Sequence, residues 1–190
     1  MTPARPTRPS TMSARTPSST VNLATLYDEP DMPWSRAVEA LGQGSFGPNT
    51  PVFLGTVGPD GRPHSAGVGV VVLDTDLYFT SGTKAYKSRH LRAKPHVTLS
   101  MRLDGIDLVL EGTAARVTDR DTLHQVAKLY AEGGWPATAT DDPDQPALTA
   151  PYSAQSAGPG PWDLYRFTID TAIGLGLRPP HGASRWVFAN

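Results

Sequence analysis

The sequence predicts a mainly β (α+β) protein, an antiparallel barrel of six to seven strands with short flanking helices. Segments with strand-like patterns recur at hairpin spacing, turns rich in Gly and Asp separate most of them, and few stretches have helical periodicity. At 190 residues the chain is long enough to bury the core of a single domain.

The composition excludes several classes of function. The chain has 17 Lys+Arg against 18 Asp+Glu and a net charge of −1, which argues against general attraction to nucleic acid or to a membrane surface. It has no cysteine, so disulfides and thiolate metal sites are excluded. No apolar run has the length of a signal peptide or of a transmembrane helix, and we therefore expect a cytoplasmic protein with no membrane partner.

The N-terminal segment consists almost wholly of Pro, Thr, Ser, Ala and Arg. Such a segment buries too little apolar surface to offset the entropy of ordering it, and we expect a disordered tail over residues 1–24. An organelle transit peptide is the alternative that this composition leaves open. The domain then covers residues 25–190, and its first helix begins near Asp31, the expected N-cap, and ends at Gly42.

The next elements form two hairpins and a helix. Residues 52–57 meet a Gly-Pro-Asp-Gly turn, and residues 62–72 form the return strand before a further strand at 77–80. The second hairpin pairs residues 96–103 with residues 106–117. A capping-box pattern at Thr118 then begins a helix that ends at Gly133.

The last third of the chain is less regular. Residues 135–162 form a long loop rich in Pro, Ala, Asp and Gly, and loops of this length are usually functional lids or insertions. Two further strands are expected near residues 163–169 and 172–178.

A cluster of basic residues is the most informative feature. Between Asp76 and Asp104 there is no acidic residue, while a Ser-Gly-Thr turn leads into one short basic helix that Pro95 ends. Lys84 and Lys87 are three residues apart, a spacing that places both on one helix face. The free N–H groups and the dipole at a helix start favour an anion, and the cluster therefore predicts a site for a phosphate-bearing ligand.

Four motifs in this order resemble the pyridoxamine 5′-phosphate oxidase superfamily. They are Pro-Val-Phe-Leu-Gly-Thr from Pro51, Pro-Asp-Gly-Arg-Pro-His from Pro59, Tyr-Phe-Thr-Ser-Gly from Tyr78 and Lys-Ser-Arg-His-Leu-Arg-Ala-Lys-Pro from Lys87. The resemblance covers about residues 33–188. It implies a split β-barrel, a homodimer, and FMN or the deazaflavin coenzyme F-420 bound between the subunits.

The resemblance also implies roles for individual residues. Lys87 would contact the cofactor phosphate, with Lys84 as a second charge, and Arg185 and Trp186 would approach from the other subunit. The phosphate turn would include Thr80, Ser81, Gly82 and Thr83, and the strand along the ring system would include His64, Ser65, Ala66 and Val68. This chain differs from the family pattern in having His90 where Asn is frequent and no second arginine near Ala85.

The resulting prediction is an oxidoreductase that transfers a hydride from reduced coenzyme F-420 to a small organic acceptor such as an enone, quinone or tetrapyrrole. An FMN-dependent oxidase or reductase is one alternative, and a non-catalytic flavin, deazaflavin or haem-binding module is another. The catalytic residue is unknown; the candidates for protonating the product are His64, Tyr152 and His181. His64 is equally open to interpretation as a packed structural residue or as a contact to the cofactor ring.

Metal and nucleic-acid sites are not expected. The five histidines do not have the spacing of a metal site. A single short basic helix also lacks the extended basic and aromatic surface that nucleic-acid binding requires.

Overall fold

The computed structural model describes residues 15–42, 44–46, 49–153 and 157–189. These residues form one curled, antiparallel sheet and three α-helices, which is a split-barrel architecture. The helices are α1 (Trp34–Leu41), α2 (Tyr86–Ala93) and α3 (Arg120–Glu132). The strands are β1 (Ser19–Asn22), β2 (Gly44–Ser45), β3 (Val52–Val57), β4 (Pro63–Val68), β5 (Val70–Leu73), β6 (Asp76–Gly82), β7 (His96–Leu103), β8 (Ile106–Arg116), β9 (Thr138–Ala139), β10 (Leu148–Thr149), β11 (Trp162–Gly176) and β12 (Ala183–Val187).

Strand β11 organises the sheet. The main strand order is β2-β5-β6-β11-β8-β7-β3-β4, so β4 is an edge strand. The first half of β11 pairs with β6, and a register shift between Ile169 and Thr171 marks a bulge in its pairing with β8. Beyond this bulge β11 pairs with β12, which in turn pairs with β1.

Alternation along the strands builds the core. In β7, Val97, Leu99 and Met101 are buried while the residues between them are partly exposed, as expected of a sheet with one buried face. Helix α1 adds an apolar stripe to this core, where Trp34 packs against Trp186 with ring centroids 5.3 Å apart. A second apolar cluster lies between α3 and the outer side of β5 and β6.

Several predicted elements are confirmed. The hairpin of β7 and β8 has the expected bounds to within one residue. Helix α3 is also confirmed and ends at Gly133, but its N-cap is Asp119, whose carboxylate accepts from the backbone N–H of Thr122 at 2.8 Å, instead of Thr118 of the predicted capping box. The end of α1 at Gly42 is also confirmed, but its predicted N-cap is wrong. The N-cap is Pro33 instead of Asp31, because the helical backbone begins only at Trp34.

The predicted disorder of residues 1–24 is wrong for residues 19–22. These residues form β1, which pairs along its whole length with β12. Backbone hydrogen bonds to an otherwise unpaired edge order this polar segment without burial of its side chains, and composition does not reveal such a partner. Residues 1–14 lie outside the described residues.

Three further boundaries differ from the predictions. The single strand predicted over residues 62–72 is divided at Gly69 into β4 and β5, which belong to separate parts of the sheet. The two strands predicted at 163–169 and 172–178 are one strand, β11, that continues through the bulge. The long loop contains the two-residue strands β9 and β10, and its residues 154–156 lie outside the described residues.

No helix in the described part of the chain is both long and apolar enough to cross a membrane.

Candidate functional site

The turn from β6 into α2 presents a helix start without a side-chain cap. Ala85 is the N-cap, its backbone is extended, and no side chain hydrogen-bonds to the first turn. The N–H groups at such a start remain available to a bound anion. The helix ends at Lys94, because the following Pro95 disfavours helical backbone at that residue.

The predicted common helix face of Lys84 and Lys87 is wrong. Since α2 begins at Tyr86, Lys84 lies in the preceding turn, where it is exposed. Lys87 lies in the first turn of the helix and is half-buried. The two lysines therefore differ in environment, and only Lys87 is placed as part of the helix start.

Lys87 has no counter-charge among the described residues. None of their ion pairs or hydrogen bonds includes its ammonium group. Burial lowers the pKa of Lys87, because partial removal from water disfavours the charged form. A half-buried ammonium without a carboxylate partner is stabilised by any anion that binds beside it.

A hydroxyl network fixes the turn that precedes Lys87. The Oγ atoms of Ser81 and Ser88 are 2.6 Å apart, and Ser88 Oγ donates to the Gly82 carbonyl at 2.8 Å. Burial raises the pKa of Tyr165, and the neighbouring Ser88 hydroxyl partly offsets this rise. Because the single Ser88 hydroxyl hydrogen is directed to Gly82, the Ser81 hydroxyl donates to Ser88 Oγ.

The other basic residues near α2 have partners of their own. Arg89 lies over the ring of Tyr86, 4.3 Å from its centroid, and Arg92 donates to the Thr83 carbonyl at 3.2 Å. The ammonium group of Lys94 donates to the Gly58 carbonyl at 3.2 Å. These contacts leave Lys87 as the basic residue best placed for a ligand.

Strand β4 presents its predicted site residues on two faces. His64, Ala66 and Val68 pair with Thr56, Leu54 and Val52 of β3, residues whose side chains are buried. Ser65 pairs with Gly55 and therefore points to the opposite face, away from the other predicted ring contacts. The structure thus brings His64, Ala66 and Val68 together and separates Ser65 from them.

His64 lies against helix α2. Its ring centroid is 5.6 Å from that of His90 and 6.4 Å from that of Tyr86, and the Tyr86 and His90 centroids are also 6.4 Å apart. We call these three residues the ring triad. His90 is buried, and its Nδ1 lies 2.9 Å from the Thr56 hydroxyl. The triad joins the β4 face to the helix that carries Lys87.

Four other predicted residues point elsewhere within one chain. Trp186 is fully buried in the core, where its indole N–H donates to the Met32 carbonyl at 3.1 Å, and it is left out of the site proposed below. The side chain of Thr80 lies beside the Tyr130 hydroxyl of α3. The Tyr152 hydroxyl donates to the Gly134 carbonyl at 3.0 Å, and His181 Nδ1 lies 3.3 Å from the Gly176 carbonyl.

His181 and α2 are at opposite ends of the sheet. Gly176, next to the His181 ring, pairs with Ile106 beside the turn of the β7–β8 hairpin, whereas α2 leads into the other end of β7. In one chain, eight residues of β7 separate the two ends, which is roughly 25 Å.

The outer face of the sheet carries one continuous row of residues. Strand pairing places them side by side in the order Val21, Arg185, Ile173, Val109, Ser100, Phe53. Val21 is 49% exposed and Phe53 50% exposed, and the neighbouring Leu175 is 50% exposed. Arg185 therefore lies in an apolar outer face that no described element covers.

A cavity of about 480 Å³ lies on the other side of α2, under residues 144–147 of the long loop. Arg116 and the buried Asp163 form an ion pair at its edge, with Nε and Oδ1 2.9 Å apart. The cavity lining is Thr83, Leu91, Arg92, Ala114, Arg116, Asp144, Gln145, Ala147, Pro161, Asp163 and Tyr165. The long loop thus covers this cavity.

The described residues contain no group of three or more His, Asp or Glu side chains that would hold a metal ion.

The ring triad and Ser88 are functional candidates that sequence reasoning missed. Tyr86 and His90 are four residues apart on α2, and this spacing in the sequence predicts that they share a helix face. Ser88 gave no such signal, because its hydrogen-bond partners Ser81 and Gly82 lie in a different element, at the end of β6.

The fold is that of a split-barrel protein whose helix α2 starts without a side-chain cap after β6. The sequence pattern of the pyridoxamine 5′-phosphate oxidase family matches residues 45–173, which is well over half of the chain. The chain belongs to this family.

Solved structures support the fold. A conserved hypothetical protein from Mycobacterium tuberculosis matches with 21% identity and a TM-score of 0.56, over 77% of this chain and 86% of the other. A NimC/NimA family protein from Clostridium acetobutylicum matches with 16% identity and a TM-score of 0.53, over 80% and 90%. A putative pyridoxamine 5′-phosphate oxidase from Listeria innocua matches with 17% identity and a TM-score of 0.51, over 73% and 94%. No curated protein sequence matches significantly.

Proposed function

We propose that this chain is an oxidoreductase that binds a flavin-type cofactor through Lys87 and the start of α2. The observation that carries the proposal is the environment of Lys87, a half-buried ammonium group without a counter-charge in the first turn of an uncapped helix. A phosphate supplies the missing negative charge and accepts from both the ammonium and the helix N–H groups. Membership of the pyridoxamine 5′-phosphate oxidase family supports the same assignment.

The remaining cofactor would lie along the face of β4 that carries Ala66 and Val68. These small side chains are partly exposed on an edge strand and leave room for a planar ring system. His64 lies on the same face, between this surface and α2. Ser81, Gly82 and Thr83 form the turn that would surround the phosphate, and the network through Ser88 holds that turn in place.

Coenzyme F-420 is the cofactor we favour over FMN. FMN enzymes of this family commonly hold the phosphate with a set of arginine and lysine residues, whereas here Tyr86 directly precedes Lys87 and Arg89 is stacked on Tyr86. A bound deazaflavin or flavin supplies hydride chemistry, while the protein supplies binding, orientation and exclusion of water. The acceptor class we propose is an enone, quinone or tetrapyrrole.

A homodimer completes the proposal. The apolar outer row that includes Val21, Ile173 and Phe53 has no cover within one chain, and a second copy of the chain would bury it. Arg185 belongs to this row, and a dimer would bring it towards the other subunit.

Two measurements test the activity. The purified protein is examined by absorbance and mass spectrometry for bound FMN or coenzyme F-420, and then mixed with each reduced cofactor and a panel of enones, quinones and tetrapyrroles. The proposal predicts oxidation of reduced coenzyme F-420 that depends on both the protein and an acceptor. Activity with FMN alone would establish the FMN-dependent alternative, and cofactor binding without turnover on any acceptor would indicate a non-catalytic carrier.

A further inference from the structure

The three residues of the ring triad differ in whether their polar atoms have partners within the fold. His90 is buried, its Nδ1 is 2.9 Å from the hydroxyl of Thr56, and Thr56 is itself the cross-strand partner of His64. A Cβ atom added to Gly58 would stand 3.5 Å from His90 Nε2, so this second nitrogen faces the turn after β3. Both nitrogens of His90 are therefore directed into the fold.

Tyr86 is restrained by Arg89. Its side chain is exposed, but the guanidinium group of Arg89 lies 4.3 Å from its ring centroid, a distance at which cation–π attraction restrains both groups. The ring of His64 therefore lies against Tyr86, which Arg89 restrains, and against His90, which Thr56 anchors.

His64 differs from both in its polar atoms. The residue is exposed on edge strand β4, and none of the described residues hydrogen-bonds to its ring nitrogens. The ring of His64 is thus held by packing, edge-on to His90 at an interplanar angle of 88°, while its nitrogens remain available to a ligand. The other two candidate proton donors, Tyr152 and His181, already have backbone partners.

We infer that His64 is the catalytic proton donor of the proposed reaction and that Tyr86 and His90 are the positioning residues that hold its ring. The inference rests on the proposed function. Hydride addition to an electron-poor double bond delivers two electrons and one hydrogen nucleus, and the resulting product anion needs one proton. His64 gives that proton from a ring nitrogen as the N–H bond breaks and the new C–H or O–H bond forms, and water reprotonates the ring.

His64→Ala tests the proton donor. The acceptor is the enone that the wild type reduces fastest in the panel above, with the reduced cofactor that the wild type binds. We expect turnover to fall about 10²-fold, the lower range for loss of general acid catalysis, while cofactor affinity stays within about threefold. Added imidazole, which is small enough to occupy the vacated space, should restore part of the rate.

Nuclear magnetic resonance of the cofactor-free protein tests the positioning role. The ring-proton signals of His64, assigned by their loss in His64→Ala, should be shifted by the ring currents of Tyr86 and His90. Tyr86→Ala should move these signals towards those of a free histidine, whereas Tyr86→Phe, which keeps the ring, should preserve their positions. Unchanged His64 signals in both Tyr86→Ala and His90→Ala would overturn the positioning role.

The outcomes separate this inference from the proposed function. A wild-type protein that binds neither cofactor, or that reduces no acceptor, contradicts the proposed function, and the proton-donor role of His64 falls with it. A wild-type protein that turns over while His64→Ala keeps its rate, or loses it without rescue by imidazole, contradicts only the present inference.

Discussion

The Oγ atoms of Ser81 and Ser88 are 2.6 Å apart, which joins the end of β6 directly to helix α2. Ser88 is fully buried, accepts from Ser81 and donates to the Gly82 carbonyl. One hydroxyl thus fixes the turn that precedes Lys87. The geometry of the proposed phosphate site depends on this contact, since both sides of the turn are held by the same atom.

Ser88→Ala should therefore destabilise the protein. The substitution removes the buried partner of the Ser81 hydroxyl and one of the two hydrogen bonds that the Gly82 carbonyl accepts within the turn. We expect the free energy of unfolding to fall by about 1–3 kcal/mol. Urea denaturation measures this change. Ser35→Ala, at an exposed position of α1, is the control and should have little effect. Equal stability of the two variants would show that the network adds nothing to the fold.

Lys87→Met should stabilise the cofactor-free protein at neutral pH. Burial lowers the pKa of Lys87, which means that its charge destabilises the folded state at neutral pH. Methionine carries no charge and removes this penalty. As pH rises through this lowered pKa towards the unfolded value near 10.5, the folded wild type loses the proton first and becomes relatively more stable. The advantage of Lys87→Met should thus disappear at high pH. Chemical denaturation at several pH values measures it, and a variant less stable than the wild type at neutral pH contradicts the account.

Phe53→Asp should disrupt the proposed dimer. Phe53 is half-exposed in the apolar outer row, and a carboxylate there would be buried without a partner in the interface. Light scattering coupled to size-exclusion chromatography should give a dimer for the wild type and for Lys128→Asp, a control on the exposed side of α3. A monomeric wild type at tens of micromolar would remove the dimer from the proposal.

Gly112→Ala should be strongly destabilising. A Cβ atom at Gly112 would stand 2.0 Å from the Thr168 carbonyl oxygen, because β8 and β11 approach closely beside the bulge after Ile169. Backbone must shift to relieve this contact, and we expect a loss of about 1–3 kcal/mol in thermal or urea unfolding. Gly67→Ala in β4 is the matched control, since nothing lies within 4 Å of a Cβ atom there. Similar stability of the two variants would contradict the described packing.

Local patterns in the sequence predict much of the fold. The hairpin of β7 and β8 and the extent of α3 depend on alternation, turn residues and helical spacing, all of which act over a few residues. The pairing of β1 with β12 joins residues more than 160 positions apart and leaves no local trace. The division at Gly69 and the bulge in β11 likewise depend on which strands become neighbours.

In the candidate site, too, local patterns predict some features while tertiary contacts determine the others. The absence of acidic residues around α2 predicts an anion site from the sequence alone, whereas the partial burial of Lys87 is visible only in the structure. The burial of Trp186 and the opposite orientation of Ser65 follow from tertiary pairing and strand register. The contact between His64 and His90 requires α2 to lie against β4, which no short pattern encodes.

A fluorescence titration of the cofactor-stripped wild type, Lys87→Ala and Lys128→Ala with coenzyme F-420 and with FMN tests the central claim most directly. We predict tighter binding of coenzyme F-420 than of FMN by the wild type and by Lys128→Ala. Lys87→Ala should bind roughly 10-fold to 100-fold more weakly, because a hydrogen bond to a charged group contributes about 1.5–3 kcal/mol. Equal affinity of Lys87→Ala and the wild type, or binding of neither cofactor by the wild type, would contradict the account.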